Sequence, residues 1–510
     1  MSTRVNRGLA WIGIASSLVG VFDLVAITLI LRFWVTPAEY GIATMAAWIF
    51  PILDQATDLG LSAALVQRDD VDEHKQSTVF WITLMCAAAL FGLLLIVAPL
   101  LAHSYGHEVI ALLLLAYGTK LFWQNIYAVP MAMMKRELRF KELSVVRIIA
   151  NVAELGGKIG FAAAGFGVWC FVLGPLCRVF VTGIGAQICH PWRPKLVFRF
   201  REARDYVRFG LKTSGSQMLF YFYTNIDYPI VGHYFGATAL GFYKLAYEIA
   251  LEPARMISYI VVDIAFPAFA RLRYARDKLI AQLVSFTRLN LITVLTYAAV
   301  VFVSANDVLA VFYPEYARSA TAMRILCSVA VLRSVAFVLP PLLDGVGQPQ
   351  RTFKYMLAAS VVLPLMFLLG AYSLGDLFGA STVVIKGTQG VVSDGYLSVA
   401  FAWVLGYPIA FAFLVAMTMQ TISWTARAYI RSVIGVIGCI LAAGCIGAGA
   451  HALMGGIPAL ARFVLTTIAI AGAAGVFLAY TQGLSPRTLI RALKGEAAAA
   501  PAPPLEPAND

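Results

Sequence analysis

Charged side chains lying in the middle of long apolar stretches are where this 510-residue chain could do chemistry. A charge at mid-bilayer costs roughly 2.5–3.5 kcal/mol on insertion scales, so such groups are paired or face water. Asp23 is central in its stretch. Asp54 and Asp58 stand four apart on one helix face. Lys120 is central in another stretch. Glu154 and Lys158 are four apart with the acid N-terminal, the better order for an intrahelical pair. Lys244, Glu248, Glu252 and Arg255 form a nearly continuous stripe at spacings of 4, 4 and 3, and Arg333 is central in its own stretch. Lys120 and Arg333 have no evident partner on their own helices. They are the first candidates for holding an anion in a water-filled cavity, followed by Arg255, Arg324 and Arg178. A cavity with several such groups suits a phosphate or pyrophosphate, because the guanidinium fork matches phosphate oxygens bidentately.

Plainer roles compete with that chemistry. Arg32, Arg147, Lys212 and Arg288 lie near stretch ends, where long basic side chains snorkel to the interface. Glu154 and Lys158 serve equally well as a structural pair. Tyr221, Tyr223 and Tyr228 are dense enough to stack on sugar rings, and packing explains them as readily. No P-loop, HExxH or GxSxG occurs. The seven cysteines form no CxxC pair and read as buried free thiols, with neither a zinc site nor a disulfide framework. No cofactor and no metal site is expected.

The elements that must position these charges are transmembrane helices. Sixty per cent of residues are hydrophobic and 13% are charged, against about 25% charged in soluble domains. About fourteen apolar stretches, most of them roughly 20–26 residues, are long enough to span a bilayer. The net charge of +12 is spread over short loops rather than gathered in one soluble domain, which argues against nucleic acid as a partner and for anionic membrane lipids. By our count about 25 of the 39 basic residues lie in one alternating set of loops and tails, and only about two (Arg318 and Lys386) in the other. The positive-inside rule then places both termini in the cytoplasm. The first stretch is too long for a cleavable signal and lacks a small-residue cleavage site.

The expected fold is all-α and integral to the membrane: two six-helix lobes plus two C-terminal helices. The lobes are placed at 1–190 and 209–420, with an amphipathic cytoplasmic linker at 191–208. Two extra spans follow at 421–482, and an Ala/Pro-rich tail at 483–510 is largely disordered. The linker alternates Arg with bulky apolar residues (KLVFRFREARDYVRF), the pattern of a helix lying in the interface. The longest outside loop, near 373–395, is rich in Gly, Ser and Thr. The halves look related. Shifted by 200 residues, Leu31–Ala46 lies over Val231–Ala246, with Gly41 on Gly241 and Ala46 on Ala246. Six spans per copy keep both copies in the same orientation, as in transporters whose substrate site lies between two lobes. Prolines inside stretches, among them Pro51, Pro130, Pro253 and Pro408, mark bent helices.

Several strings carry a resemblance. DLGLSAALVQRDDVDEH (Asp58–His74), MKRELRFKEL (Met134–Leu143), GFGVWCFVLGPL (Gly165–Leu176), FPAFARL (Phe266–Leu272) and the long run Arg208–Ala250 resemble the polysaccharide transporter family. These are Wzx-like oligosaccharide flippases, in the superfamily that also holds the MATE exporters and the lipid II flippases. Asp58, Asn225, Asp227, Gly241 and Tyr243 stand at positions of the family strings. The resemblance implies a MATE-like fold. It also implies movement of an undecaprenyl-pyrophosphate-linked oligosaccharide from the cytoplasmic to the periplasmic leaflet of the bacterial inner membrane. Alternating access, driven by a proton or sodium gradient, would serve exopolysaccharide, capsule or O-antigen synthesis. A polymerase and a chain-length regulator are the partners it implies. Ion coupling needs a carboxylate that changes charge or ligates a cation, and Asp23, Asp54, Glu154 and Glu252 are candidates. No enzymatic motif transfers. A MATE-like small-molecule exporter and a membrane glycan polymerase or ligase remain the alternatives.

Overall fold

Apolar helices arise here because a backbone in hydrocarbon must satisfy its own hydrogen bonds. The computed structural model describes residues 20, 22–68, 70–385 and 388–483. The beginning of the first stretch, Lys386 and the Ala/Pro-rich tail lie outside the described residues. Helix α1 runs over 22–33. It is followed by α2 (Pro37–Ala47), α3 (Phe50–Asp58), α4 (Leu61–Gln67), α5 (Glu73–Tyr105), α6 (Val109–Gly118), α7 (Lys120–Arg136), α8 (Phe140–Ala163) and α9 (Cys170–Cys189). Then come α10 (Phe200–Asn225), α11 (Asp227–Ala250), α12 (Glu252–Leu272), α13 (Arg276–Phe312), α14 (Ser319–Gly345) and α15 (Pro349–Leu374). The Gly/Ser/Thr-rich loop folds as a two-stranded sheet, β1 (Ala380–Ile385) and β2 (Thr388–Ser393). Helices α16 (Tyr396–Thr421), α17 (Ala426–Leu453) and α18 (Ala459–Gln482) complete the chain.

Among the described residues nine helices are long and apolar enough to cross a membrane, or ten if the bent run from α2 through α4 is one span. By that measure the expected number of fourteen is not reached. Helices α8, α10, α11 and α12 are 21 to 26 residues long, but they carry the charged and polar residues in question.

The chain divides into two compact units. One comprises Met1–Gly241 with Ser381–Ser393, the other Phe242–Ala380 with Asp394–Asp510. The division falls inside α11, later than the 191–208 linker. That linker differs from its expectation. Residues 191–199 are not helical, and the helix that begins at Phe200 runs unbroken to Asn225. Two prolines, Pro191 and Pro194, remove backbone donors that a helix there would need. The segment is instead pinned to the start of α5. Lys195 N donates to Ser77 Oγ at 3.0 Å, Arg199 N to Thr78 Oγ1 at 3.3 Å, and Trp81 Nε1 to Lys195 O at 2.9 Å.

The 200-residue offset has a structural counterpart within the first unit. The chain breaks helix at 34–36, where Thr36 caps α2 in a reciprocal box with Glu39, and again at Gly236, whose φ of 83° needs glycine. A Cβ added at Gly41 would sit 1.8 Å from Ala237 O, and one at Gly241 would sit 1.9 Å from Pro37 O. Under the offset Pro37 maps on Ala237 and Gly41 on Gly241. The two contacts are therefore one contact made reciprocally, the signature of twofold-related segments. The helix also breaks just before Pro51 and just before Pro253, so the proline breaks recur at nearly the same offset.

Candidate functional site

In the first unit the charges converge. Helix α3 opens with Pro51 in its first turn and presents Asp54 toward α7. Lys120, at the start of α7 and 8% exposed, donates from Nζ to Asp54 Oδ2 at 2.8 Å. Its ammonium lies 4.5 Å from the ring centre of Tyr117 and 5.2 Å from that of Phe50, an additional attraction between cation and ring face. One helix pair away, Glu154 of α8 is bound by two cations. Lys158 Nζ lies 2.6 Å from Oε1, one turn along the same helix, and Arg178 Nη1 of α9 lies 3.2 Å from Oε2. Asp23 on α1 adds its negative charge to the field at both Lys158 and Arg178, and Arg178 acts electrostatically on Asp54. Three carboxylates and three cations thus form one balanced network, with Tyr117 and Tyr127 at its edge.

In the second unit the expected stripe on one helix does not exist as such. The chain breaks at Leu251, between α11 and α12. The stripe divides into Lys244–Glu248 at 3.1 Å and Glu252–Arg255 on the other side of the break. Arg333 of α14 is 6% exposed and is held by aromatic groups. Its guanidinium carbon lies 4.9 Å from the Trp403 ring centre and 5.4 Å from that of Tyr247, and Nη1 donates to Tyr247 Oη at 2.9 Å. Trp403 Nε1 in turn donates to Tyr243 Oη at 3.0 Å. Arg255 is near enough to Arg333 to feel its charge. Arg324 is not part of this group. Nine residues before Arg333, it is about half a turn out of phase on the same helix, and it donates to Phe302 O at 3.2 Å.

Lys120 and Arg333 are therefore engaged cations, whereas the sequence left both without a partner. Their partners lie on other helices, and no spacing rule within one helix reports them. Asp307 was missed altogether. It is 1% exposed on α13, with both oxygens bonded to Arg462 of α18, at 3.0 and 2.9 Å from Nε. His451 of α17 approaches within 3.5 Å. This knot fastens α17 and α18 to α13.

The residues of the family strings sit at joints. Asp58 ends α3 and accepts from Ser62 N at 3.3 Å. That bond bridges a 46° bend between α3 and α4, where Leu59 and Gly60 have φ of 48° and 69°. A Cβ at Gly60 would lie 2.5 Å from Gly210 O, so α10 can pass close by. Asn225 Nδ2 donates to Tyr221 O at 2.7 Å where α10 ends, and Asp227 Oδ1 accepts from Tyr228 N at 3.0 Å where α11 begins. At the corner between α4 and α5, Lys75 and Arg68 bond Asp70 at 2.8 and 3.0 Å and hold its carboxyl well below the ordinary range.

The model of a family described as polysaccharide biosynthesis protein matches residues 30–316. The teichuronic acid biosynthesis protein TuaB of Bacillus subtilis (strain 168) is 27% identical over 336 residues, covering 65% of this chain and 69% of that protein. The lipopolysaccharide biosynthesis protein WzxC of Escherichia coli (strain K12) is 24% identical over 364 residues, covering 69% and 72%. Among solved structures, the lipid II flippase MurJ in an inward closed conformation superposes with a TM-score of 0.69 at 14% identity, covering 94% of this chain and 99% of that one. An inward-facing multidrug resistance MATE family transporter gives 0.55 at 16% identity, covering 82% and 98%. The fold is that of multi-span transporters of the MOP superfamily.

Proposed function

This chain belongs to the polysaccharide biosynthesis protein family, and we propose that it is a flippase for undecaprenyl-pyrophosphate-linked oligosaccharide repeat units. It carries them from the cytoplasmic to the periplasmic leaflet of the bacterial inner membrane, with both termini cytoplasmic. It alternates between states open to either side, coupled to an ion gradient, and catalyses no covalent step. A polymerase and a chain-length regulator take over the product. The observation that carries this reading is the placement of cations within membrane helices, buried Lys120 with the more exposed Arg178 in one unit and buried Arg333 with half-buried Arg255 in the other, inside a fold shared with a lipid II flippase. A pyrophosphate headgroup crossing hydrocarbon needs such charges near its path. An acidic interior suited to cationic drugs would lack them.

The test uses a strain lacking this chain. Lipid-linked oligosaccharide is extracted from inverted and right-side-out inner-membrane vesicles, and the face it occupies is determined. The expected outcome is complete repeat units held on the cytoplasmic face. Complete units on the periplasmic face, unpolymerised, would move the function to polymerisation or ligation. Absence of any accumulation would favour an exporter of other molecules. In the complemented strain, Lys120→Ala and Arg333→Ala each abolish polymer export, read as extracellular polysaccharide per cell.

A further inference from the structure

We propose that the exposed face of α12 bearing Tyr259, Asp263 and Phe266 is a sugar subsite, and that it admits neutral pyranosides and turns away acidic ones. The inference rests on the transport reading above and names the class of sugar that the path accepts.

The two faces of α12 are unlike. Ala254, Ser258, Val261, Ala265 and Phe269 recur at spacings of 4, 3, 4 and 4 and are buried, and the helix packs against α13 and α14. The opposite face carries Glu252, Arg255, Tyr259, Asp263 and Phe266 at spacings of 3, 4, 4 and 3. Tyr259 is 42% exposed and Phe266 47%, with Asp263 exposed between them. Glu252 and Arg255 satisfy each other. Among the described residues no hydrogen bond or ion pair engages Asp263. At 21 residues α12 is long enough to span hydrocarbon. A lone carboxylate in such a helix is expensive unless water or a polar ligand covers it.

What covers this face follows from its chemistry. The C–H side of a pyranose ring stacks on an aromatic ring, and its hydroxyls donate to a carboxylate, which only accepts. Tyr259 and Phe266 supply two rings, and Asp263 supplies the acceptor between them. At 1.5 Å per residue the two rings stand about 10.5 Å apart along the axis, roughly the length of a disaccharide. Phe337 of α14 props the Tyr259 ring, with 5.6 Å between ring centres and 62° between planes. Arg255 lies about 6 Å along the axis before Tyr259. A phosphate group at Arg255 therefore leaves the attached sugars lying along the rest of the face. A lipid chain would leave Asp263 alone in hydrocarbon. An acidic sugar would bring a second carboxylate against Asp263, and like charges in contact weaken binding.

Other aromatic clusters serve worse. Tyr223 and Tyr228, which the sequence offered for stacking, are 4% and 2% exposed. Tyr247 and Trp403 are buried around Arg333. Trp123 and Phe180 lie against each other, 4.3 Å between ring centres, in a groove lined by apolar residues and Gln187. That groove offers no charged acceptor.

The experiment is saturation-transfer NMR on the full-length protein in lipid nanodiscs, irradiating aromatic protons, which the lipids lack. Cellotetraose is the neutral probe and tetragalacturonate the acidic one. Wild type is expected to pass saturation to cellotetraose and little to tetragalacturonate. Tyr259→Ala and Phe266→Ala each weaken cellotetraose binding about fivefold. Tyr259→Phe keeps the ring and binds as wild type does, which separates loss of the ring from loss of the fold. Asp263→Asn keeps the shape, removes the charge and lets tetragalacturonate bind. Equal transfer to the two probes in wild type overturns the proposal. So does cellotetraose binding that is unchanged in the double variant Tyr259→Ala/Phe266→Ala; the glycan would then bind elsewhere, and the flippase reading would stand. If tetraphenylphosphonium draws the transfer and cellotetraose none, both fall, and the face belongs to an exporter of organic cations.

Discussion

Lys120 in the first unit and Arg333 in the second are each buried near the middle of a candidate membrane span, yet they are kept there by different means. Lys120 is bound to a carboxylate, and its neighbours Lys158 and Arg178 share another. Arg333 lies against Trp403 and Tyr247, with a phenol as hydrogen-bond acceptor. The difference is one of exchangeability. A carboxylate can trade a cation for a proton, so the partner of Lys120 can change its charge state. A guanidinium among aromatic rings has no such option, because arginine does not deprotonate in proteins and ring faces do not titrate. Lys120 is thus held by an exchangeable partner, whereas Arg333 presents a permanent positive charge.

The comparison breaks most severely at Glu154. Glu154→Ala leaves Lys158 and Arg178 without their shared acid. Removing one partner of a buried pair costs about 3–5 kcal/mol, toward the lower end here because the Arg178 side chain is 51% exposed. A large fall in the thermal midpoint of the purified protein is expected, and an unchanged midpoint would show that the pair is idle. In the second unit a smaller change sharpens the contrast. Tyr247→Phe keeps the ring face but removes the acceptor of a charged hydrogen bond, a loss of about 1.5–3 kcal/mol. Tyr247→Ala, which also deletes the ring, should lose clearly more. Equal losses in the thermal midpoint would mean that the ring face contributes nothing.

Gly41→Ala and Gly241→Ala test the repeat within the first unit. Each places a methyl group against a backbone carbonyl of the other segment, and overpacking of this kind costs about 1–3 kcal/mol. The reciprocal geometry predicts matched losses in denaturation midpoint, and a loss from only one of the two would refute the twofold relation. The smallest effect is expected at the α4–α5 corner. Asp70 has its carboxyl depressed by Lys75 and Arg68, so its contribution to stability is complete at neutral pH. That contribution fades only as pH falls through the depressed folded-state value. Asp70→Asn should lower the thermal midpoint slightly at pH 7, and the gap from wild type should close in strong acid. A gap that widened on acidification would contradict the ion-pair account.

Some of this was legible in the residues. The spacing of Glu154 and Lys158 places them one turn apart on any helix, and they pair at 2.6 Å. The same arithmetic separates Arg324 from Arg333 by half a turn, a signal present in the sequence although both were grouped as cavity candidates. The stripe from Lys244 to Arg255 failed because its regular spacing assumes an unbroken helix, and Pro253 ends that assumption at Leu251. The Asp307–Arg462 knot was hidden because its members are 155 positions apart, each resembling an ordinary charge near a helix end.

What the sequence determined by itself is what the helix period and the bilayer impose one segment at a time. That covers a multi-span α-helical chain, its intrahelical pair, its proline breaks and the 200-residue echo of one half in the other. What only the tertiary structure decided is which helix brings the second partner: Asp54 to Lys120, Arg178 to Glu154, Trp403 and Tyr247 to Arg333. A helix fixes neighbours three and four residues apart with its own geometry, whereas contacts between helices depend on packing of side chains from distant parts of the chain, for which no single spacing stands.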